Sequence, residues 1–187
     1  LRLYNSRNRS RFLAYAESLN FGKSWTGPYV VREMQSPMSS FAVCEDPQRE
    51  GTYYLVWVND RPFVRGSTMP RTRLSLAMST DGKTWRFLAD VERMGVRFAD
   101  YPPFSYVPLF QILDPCVLVT DRYVYVSWGE SARGAEDVRP GEARACHHEQ
   151  RVRLARFEKS RLRVQEWSAA TVCDPALLQE DLSREIW

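Results

Sequence analysis

Two stretches, Ser18-Leu19-Asn20-Phe21-Gly22-Lys23-Ser24-Trp25 and Ser79-Thr80-Asp81-Gly82-Lys83-Thr84-Trp85, decide how the chain is read. Each follows a run of period-two alternation, Leu13–Glu17 and Leu74–Met78. Each sets out a hydroxyl, an acidic or amide side chain, a glycine, a lysine, a second hydroxyl and a tryptophan in one order. Period-two alternation marks a half-buried strand. In the turn that follows, Asp or Asn and the hydroxyls accept backbone N–H groups, and glycine supplies a positive φ.

Self-comparison extends the match in both directions. Ser40–Asp46 aligns with Pro115–Asp121, and Thr52–Asp60 with Arg122–Glu130. Leu3-Tyr4-Asn5-Ser6-Arg7 echoes Trp57-Val58-Asn59-Asp60-Arg61, and Val152–Phe157 takes the place of the Leu74–Ser79 strand. The unit is four short strands, a to d. The middle copy reads 39–45, 52–59, 73–79 and 85–91, and the last reads 114–120, 122–128, 151–157 and 162–167. The first keeps the end of b, then c at 11–17 and d at 28–33. Turn chemistry at Asp46-Pro47, Asp81-Gly82 and Thr120-Asp121 suits antiparallel meanders. The expected fold is all-β, a β-propeller of four-stranded antiparallel blades with about two and three-quarter blades present. The blades fall near 1–38, 39–93 and 94–170 in one partial domain spanning 1–187. Beyond them, Asp174 as N-cap, Pro175 in the first turn and Leu178, Leu182 and Ile186 on one face predict a short helix over 174–187. It is read as packing on the outer blade.

These two boxes resemble the Asp-box, or BNR repeat, of the sialidase superfamily, Ser/Thr-x-Asp-x-Gly-x-Thr/Ser-Trp. Asn20 stands at the Asp position of the first box, and the second box is one residue shorter. The resemblance implies a C-terminal half of a sialidase-like propeller, with the boxes on the face opposite the active site. The front would then be built from Asn5–Ser10, Asn59–Thr72, Gly129–Gln150 and the Arg93–Leu113 connection. It implies a glycosidase acting on glycans or acidic sugars, in a secreted or periplasmic setting. A non-catalytic Asp-box propeller that binds carbohydrate or protein is the alternative.

In sialidases, arginines clamp the substrate carboxylate, a Tyr paired with a Glu is the nucleophile, and an Asp is the acid/base. The front loops and strand ends hold the right residue types: Glu130, Asp114 and Tyr106 become catalytic candidates, with Tyr106 several residues ahead of the expected nucleophile position, and Arg61, Arg73, Asp60 and His148 become substrate-binding candidates. A guanidinium fork matches a carboxylate in two places, as an ammonium does not. Each of these arginines has an alternative as a solvated or paired surface charge. Leu113-Asp114 stands where a Tyr-Ser type pair is expected, and Asp114 serves equally as an acid/base or as a cap before Pro115. His147 and His148 are adjacent, so a regular strand would turn them to opposite faces and away from a shared metal.

Composition bounds the rest. A net charge of +3, from 26 basic and 23 acidic residues in 187, carries no nucleic-acid footprint. No apolar run reaches the length of a membrane span. No metal site and no cofactor are expected, because phosphate-loop, nucleophile-elbow and helix-borne metal motifs are absent from the sequence. Cys44, Cys116, Cys146 and Cys173 form no CxxC pair; Cys44 and Cys116 sit in apolar runs and read as buried free thiols. Leu1 opens directly into a strand-like stretch without a signal peptide, so a complementary propeller half or self-association is expected.

Overall fold

A computed structural model describes residues 1–5, 12–36, 39–60, 71–93, 110–132 and 149–165. Among these residues, ten strands form three antiparallel meander sheets. The first holds β1 (Arg2–Asn5), β2 (Phe12–Glu17) and β3 (Thr26–Gln35). The middle holds β4 (Phe41–Glu45), β5 (Tyr53–Val58), β6 (Arg73–Ser79) and β7 (Arg86–Arg93) in sequence order. The last holds β8 (Phe110–Val119), β9 (Tyr123–Ala132) and β10 (Glu149–Glu158).

The sheets stack face to face because the middle one is apolar on both sides. Leu55 and Trp57 of β5, Ala77 of β6 and Phe87 of β7 pack against Leu13, Val31 and Met34 of the first sheet. The alternate residues Tyr54, Val56, Val58, Leu74 and Leu76 pack against Ile112, Val124, Val126 and Trp128 of the last sheet. Trp57 is the largest fully buried side chain among the described residues, and its indole donates to the Gln35 carbonyl at 3.0 Å. Truncating such a tryptophan typically costs 3–5 kcal/mol. All three sheets face one way along the stack. Ala14 and Ala16 of β2 point away from the middle sheet, Ala77 of β6 points to the first sheet, and Ala155 of β10 points to the middle one.

The two boxed turns are wired alike. In the second, Ser79 Oγ accepts from Gly82 N at 2.8 Å, and Asp81 Oδ1 accepts from Lys83 N and Thr84 N, each at 2.7 Å. In the first, Ser18 Oγ accepts from Gly22 N at 2.7 Å and Asn20 Oδ1 from Ser24 N at 2.9 Å. The extra residue, Phe21, enters the left-handed region at φ 56. Gly82 has a second reason to be glycine: a Cβ there would run into the Arg2 guanidinium and the Tyr4 hydroxyl. Arg2 donates to the Asp81 carbonyl and Tyr4 to the Gly82 carbonyl, so the first sheet is fastened to the middle sheet's turn. Burial opposes the charge of Asp81, yet the amides of Thr84 and Lys83 with the hydroxyls of Ser79 and Thr84 outweigh it. They hold the carboxyl well below the usual range.

Several expectations are corrected. The fourth strand of the last unit, placed at 162–167, does not form over 162–165. There Leu162 packs into the core between the middle and last sheets, and Gln165 N donates to the Phe87 carbonyl of β7. The tryptophans that close the two boxes differ in burial: Trp85 is buried and Trp25 is 45% exposed. Strand a of the last unit starts at Phe110, ahead of 114. Cys116 is an exposed thiol on the outward face of β8, although Cys44 is half-buried; both are free. The helix expected over 174–187 lies outside the described residues, among which the one helical element is the 3-10 turn Lys159–Arg161. No helix among the described residues is long and apolar enough to cross a membrane.

Pairing also resets the alignment of the repeats. Trp57 lies opposite Ser75 and Trp128 opposite Arg153, with Ser75 and Arg153 in matching places of their c strands. Trp57 therefore corresponds to Trp128, and Glu130 corresponds to Asn59, not Asp60. Asn5, opposite Ala14, corresponds to Trp57.

At the boxed end, Lys159 Nζ bonds Asp46 Oδ1 at 2.8 Å and the Thr120 carbonyl at 3.1 Å, joining last and middle sheets through a nearly buried ion pair. Lys159→Met should lower stability by about 3–5 kcal/mol by stranding Asp46, and Asp46→Leu added to it should recover most of that loss. Chemical denaturation checks both variants. Asp81→Ala should cost about 1–2 kcal/mol by the same measurement. Asp81→Asn should cost clearly less, because Asn20 already serves in the first box.

Candidate functional site

The end of the stack opposite the boxed turns gathers the close of β5, the starts of β6 and β10, and the ends of β7 and β9. Asp60 follows β5 and closes the entry to β6. Its carboxylate accepts from Thr72 N, from Arg73 N at 3.0 Å, and from the Thr72 hydroxyl at 3.2 Å. Burial pushes its pKa up to about 6, against the pull of those bonds and of the Arg73 charge. One residue before Thr72, the Arg71 carbonyl accepts from Ile112 N at 2.6 Å, which ties this connection to β8.

Arg73 is buried and already engaged. Its Nε donates to Asp90 Oδ1 at 2.8 Å, and its guanidinium lies 6.0 Å from the Phe87 ring centre. Asp90 Oδ1 also accepts from Ser75 Oγ at 2.8 Å, and Ser75 Oγ accepts from Asn59 Nδ2 at 3.1 Å. Asn59 Oδ1 is buried and finds no partner in this network. The chain of polar groups occupies the groove between the first and middle sheets.

Glu130 lies on the other side of the middle sheet. It projects from β9 beside Trp128, with Arg153 Nε at 2.9 Å from Oε2 and the Trp128 indole at 3.4 Å from Oε1. Glu130 and Arg153 thus hold the place that Asn59 and Ser75 hold in the middle sheet. Asp114 sits inside β8, at a bulge between the Leu113–Gly129 and Cys116–Ser127 pairs, with φ 40. It is therefore not at the mouth of an inner strand. Its carboxylate accepts from Ser40 Oγ at 2.9 Å, just ahead of β4.

The structure thus brings Asp114 and Glu130 onto neighbouring strands and sets Arg73 apart from them across the middle sheet. Tyr106, Arg61 and His148 lie outside the described residues. Sequence reasoning missed Asp90 as the partner of Arg73 and Ser75, because that link depends on a bulge in β7 that no local pattern announces. Among the described residues, no group of three or more His, Cys, Asp or Glu is placed to hold a metal ion. No family model, curated protein or solved structure matches the chain.

The raised Asp60 pKa has a sign that can be tested. Between 3.8 and about 6 the folded chain holds a proton that the unfolded chain has lost. The stability this group contributes is therefore full below 3.8 and is lost as the pH rises through 6. At pH 7.5, Asp60→Asn should leave the melting temperature unchanged or higher, because the amide carries no charge into a half-buried place. The same variant should flatten the stability profile between pH 4 and 6, measured by thermal melts across that range.

Proposed function

We propose that the chain is part of a sialidase-like β-propeller whose front surface binds an acidic sugar and hydrolyses its glycosidic bond. The observation that carries this reading is the pair of alike-wired Asp-box turns at one end of sheets stacked in a single sense. A partly buried carboxyl, whose pKa is pushed up to about 6, and an arginine-rich edge lie at the other end. In this reading each sheet is a blade. The missing blades come from a complementary half or from self-association, and the exposed apolar flank of the last sheet (Leu118, Val152 and Leu154, 59%, 85% and 69% exposed) supports that need.

Glycoside hydrolysis needs a proton for the leaving oxygen and a second group that supplies or activates the nucleophile. Glu130 takes the second role, acting on Tyr106 or on water, with Arg153 orienting its carboxylate. Asp114 remains an acid/base candidate, and Asp60 joins it because a carboxyl titrating near 6 can be protonated when a substrate arrives. Arg61, Arg73 and His148 would hold the substrate. Arg73 can do so only by giving up part of its contact with Asp90.

A second reading is a non-catalytic propeller that binds carbohydrate or protein. It is favoured by the internal pairing of Arg73 with Asp90 and of Glu130 with Arg153, which leaves those charges satisfied without a ligand.

A panel of fluorogenic glycosides, acidic sugars included, and a glycan array separate the two. Turnover of at least one glycoside is expected, with Glu130→Gln lowering kcat by roughly two to four decades at nearly constant melting temperature. Glycan binding without any turnover would discard the hydrolase reading. Parallel loss of stability and activity in Glu130→Gln would make this carboxylate a brace for the β9–β10 connection.

A further inference from the structure

We propose that the open edge of β1, with the cavity beside it, takes up one extended polypeptide strand, so that the first sheet becomes four-stranded like the middle one. The inference stands on the edge geometry and not on the functional reading above.

The edge is built for pairing. Leu1 and Ser18 exchange two backbone hydrogen bonds, Leu1 N to Ser18 O and Ser18 N to Leu1 O, both 2.9 Å. Hydrogen-bonded pairs alternate along an antiparallel ladder, so the Leu3–Ala16 pair repeats this exchange. The N–H and C=O groups of Arg2 and Tyr4, in between, point away from β2. Two donors and two acceptors therefore line the outer side of β1, the arrangement that recruits an added strand.

A cavity of about 490 Å³ lies beside them, lined by Arg2, Tyr4 and Glu17 of the first sheet and Val43, Tyr53 and Asp81 of the middle one. In the middle sheet, the same position next to β5 is filled by β4, whose Ala42 and Cys44 turn toward the last sheet. Nothing among the described residues fills it next to β1. A second whole sheet would not fit in this recess, but a single strand of four or five residues, rising about 3.3 Å each, would. Matching the two sheets by register places Arg2 with Tyr54 and Tyr4 with Val56. The incoming strand should therefore carry small apolar residues at the two positions that pair with Arg2 and Tyr4, as Cys44 and Ala42 pair with Tyr54 and Val56. Larger residues there would meet Val43 and Tyr53.

The probe is a synthetic peptide of the chain's own Ser40–Asp46 sequence carrying Cys44→Ala, which keeps that position small and apolar, added to the full chain. Saturable binding tighter than about 1 mM is expected. Amide hydrogen exchange should slow at Arg2 and Tyr4 and stay unchanged at Leu3. Methylating the peptide amides at positions 42 and 44, which face β1, should weaken binding by about tenfold or more. Methylation at 43 and 45 should change it by less than about threefold, because those amides face away. Absence of saturable binding, equal loss from both methylation patterns, or slowed exchange at Leu3 in place of its neighbours would overturn the proposal. So would dimerisation of the chain through the β1 edge that the peptide does not reverse, seen by sedimentation.

Discussion

The structure depends on a sheet that has no solvent face. From Tyr54 to Val58 every residue of β5 is buried, odd positions against the first sheet and even positions against the last. A strand with one wet face tolerates substitution on that face. β5 has none, so both flanking sheets take their positions from it, and the polar groups are driven to the two ends of the stack. A one-residue slip in β5 would exchange its two apolar sets and misfit both interfaces at once.

The two ends then solve different problems. At the boxed end, polar groups are spent on the backbone: Ser79, Asp81, Ser18 and Asn20 satisfy turn amides, and Arg2, Tyr4 and Lys159 carry bonds from sheet to sheet. At the opposite end, Arg73, Asp90, Ser75, Asn59, Glu130 and Arg153 bond side chain to side chain, Asp60 takes backbone amides, and two groups stay imperfectly served. Asp60 is held where burial disfavours its charge, and Asn59 keeps a buried oxygen without a partner. Costs of this kind are commonly kept where a surface has work to do.

Much of this was readable from local chemistry. Period-two alternation located the strands to within a few residues, and the serine, acidic or amide residue and glycine of each box foretold which atoms would bond. Register was harder. Val124-Tyr125-Val126 is apolar at every position, so sequence comparison could place Glu130 with Asp60 when the ladder places it with Asn59. Asp114 looked like the head of a strand because Pro115 follows it, whereas β8 runs through both by taking a bulge at φ 40. The chain after Leu162 reads as a fourth strand, but burial of Leu162 between two sheets sends it across to β7. The candidate residues of the site were legible by type and end of the sheet. Their partners were not, since Arg73 meets Asp90, and Glu130 meets Arg153, only after the sheets have folded.

The inserted Phe21 shows how such a chain can change length without changing shape. The first box is longer by one residue, yet its bonds from Ser18 and Asn20 close the same loop, because the surplus is absorbed in a left-handed residue whose side chain is 91% exposed. The strands on either side do not register the insertion. A turn of this kind works as an expansion joint. Here an evolving lineage can gain or lose residues, and an engineer can graft a short peptide or a label at position 21, while the alternation that seats Leu13 and Val31 in the core stays in phase.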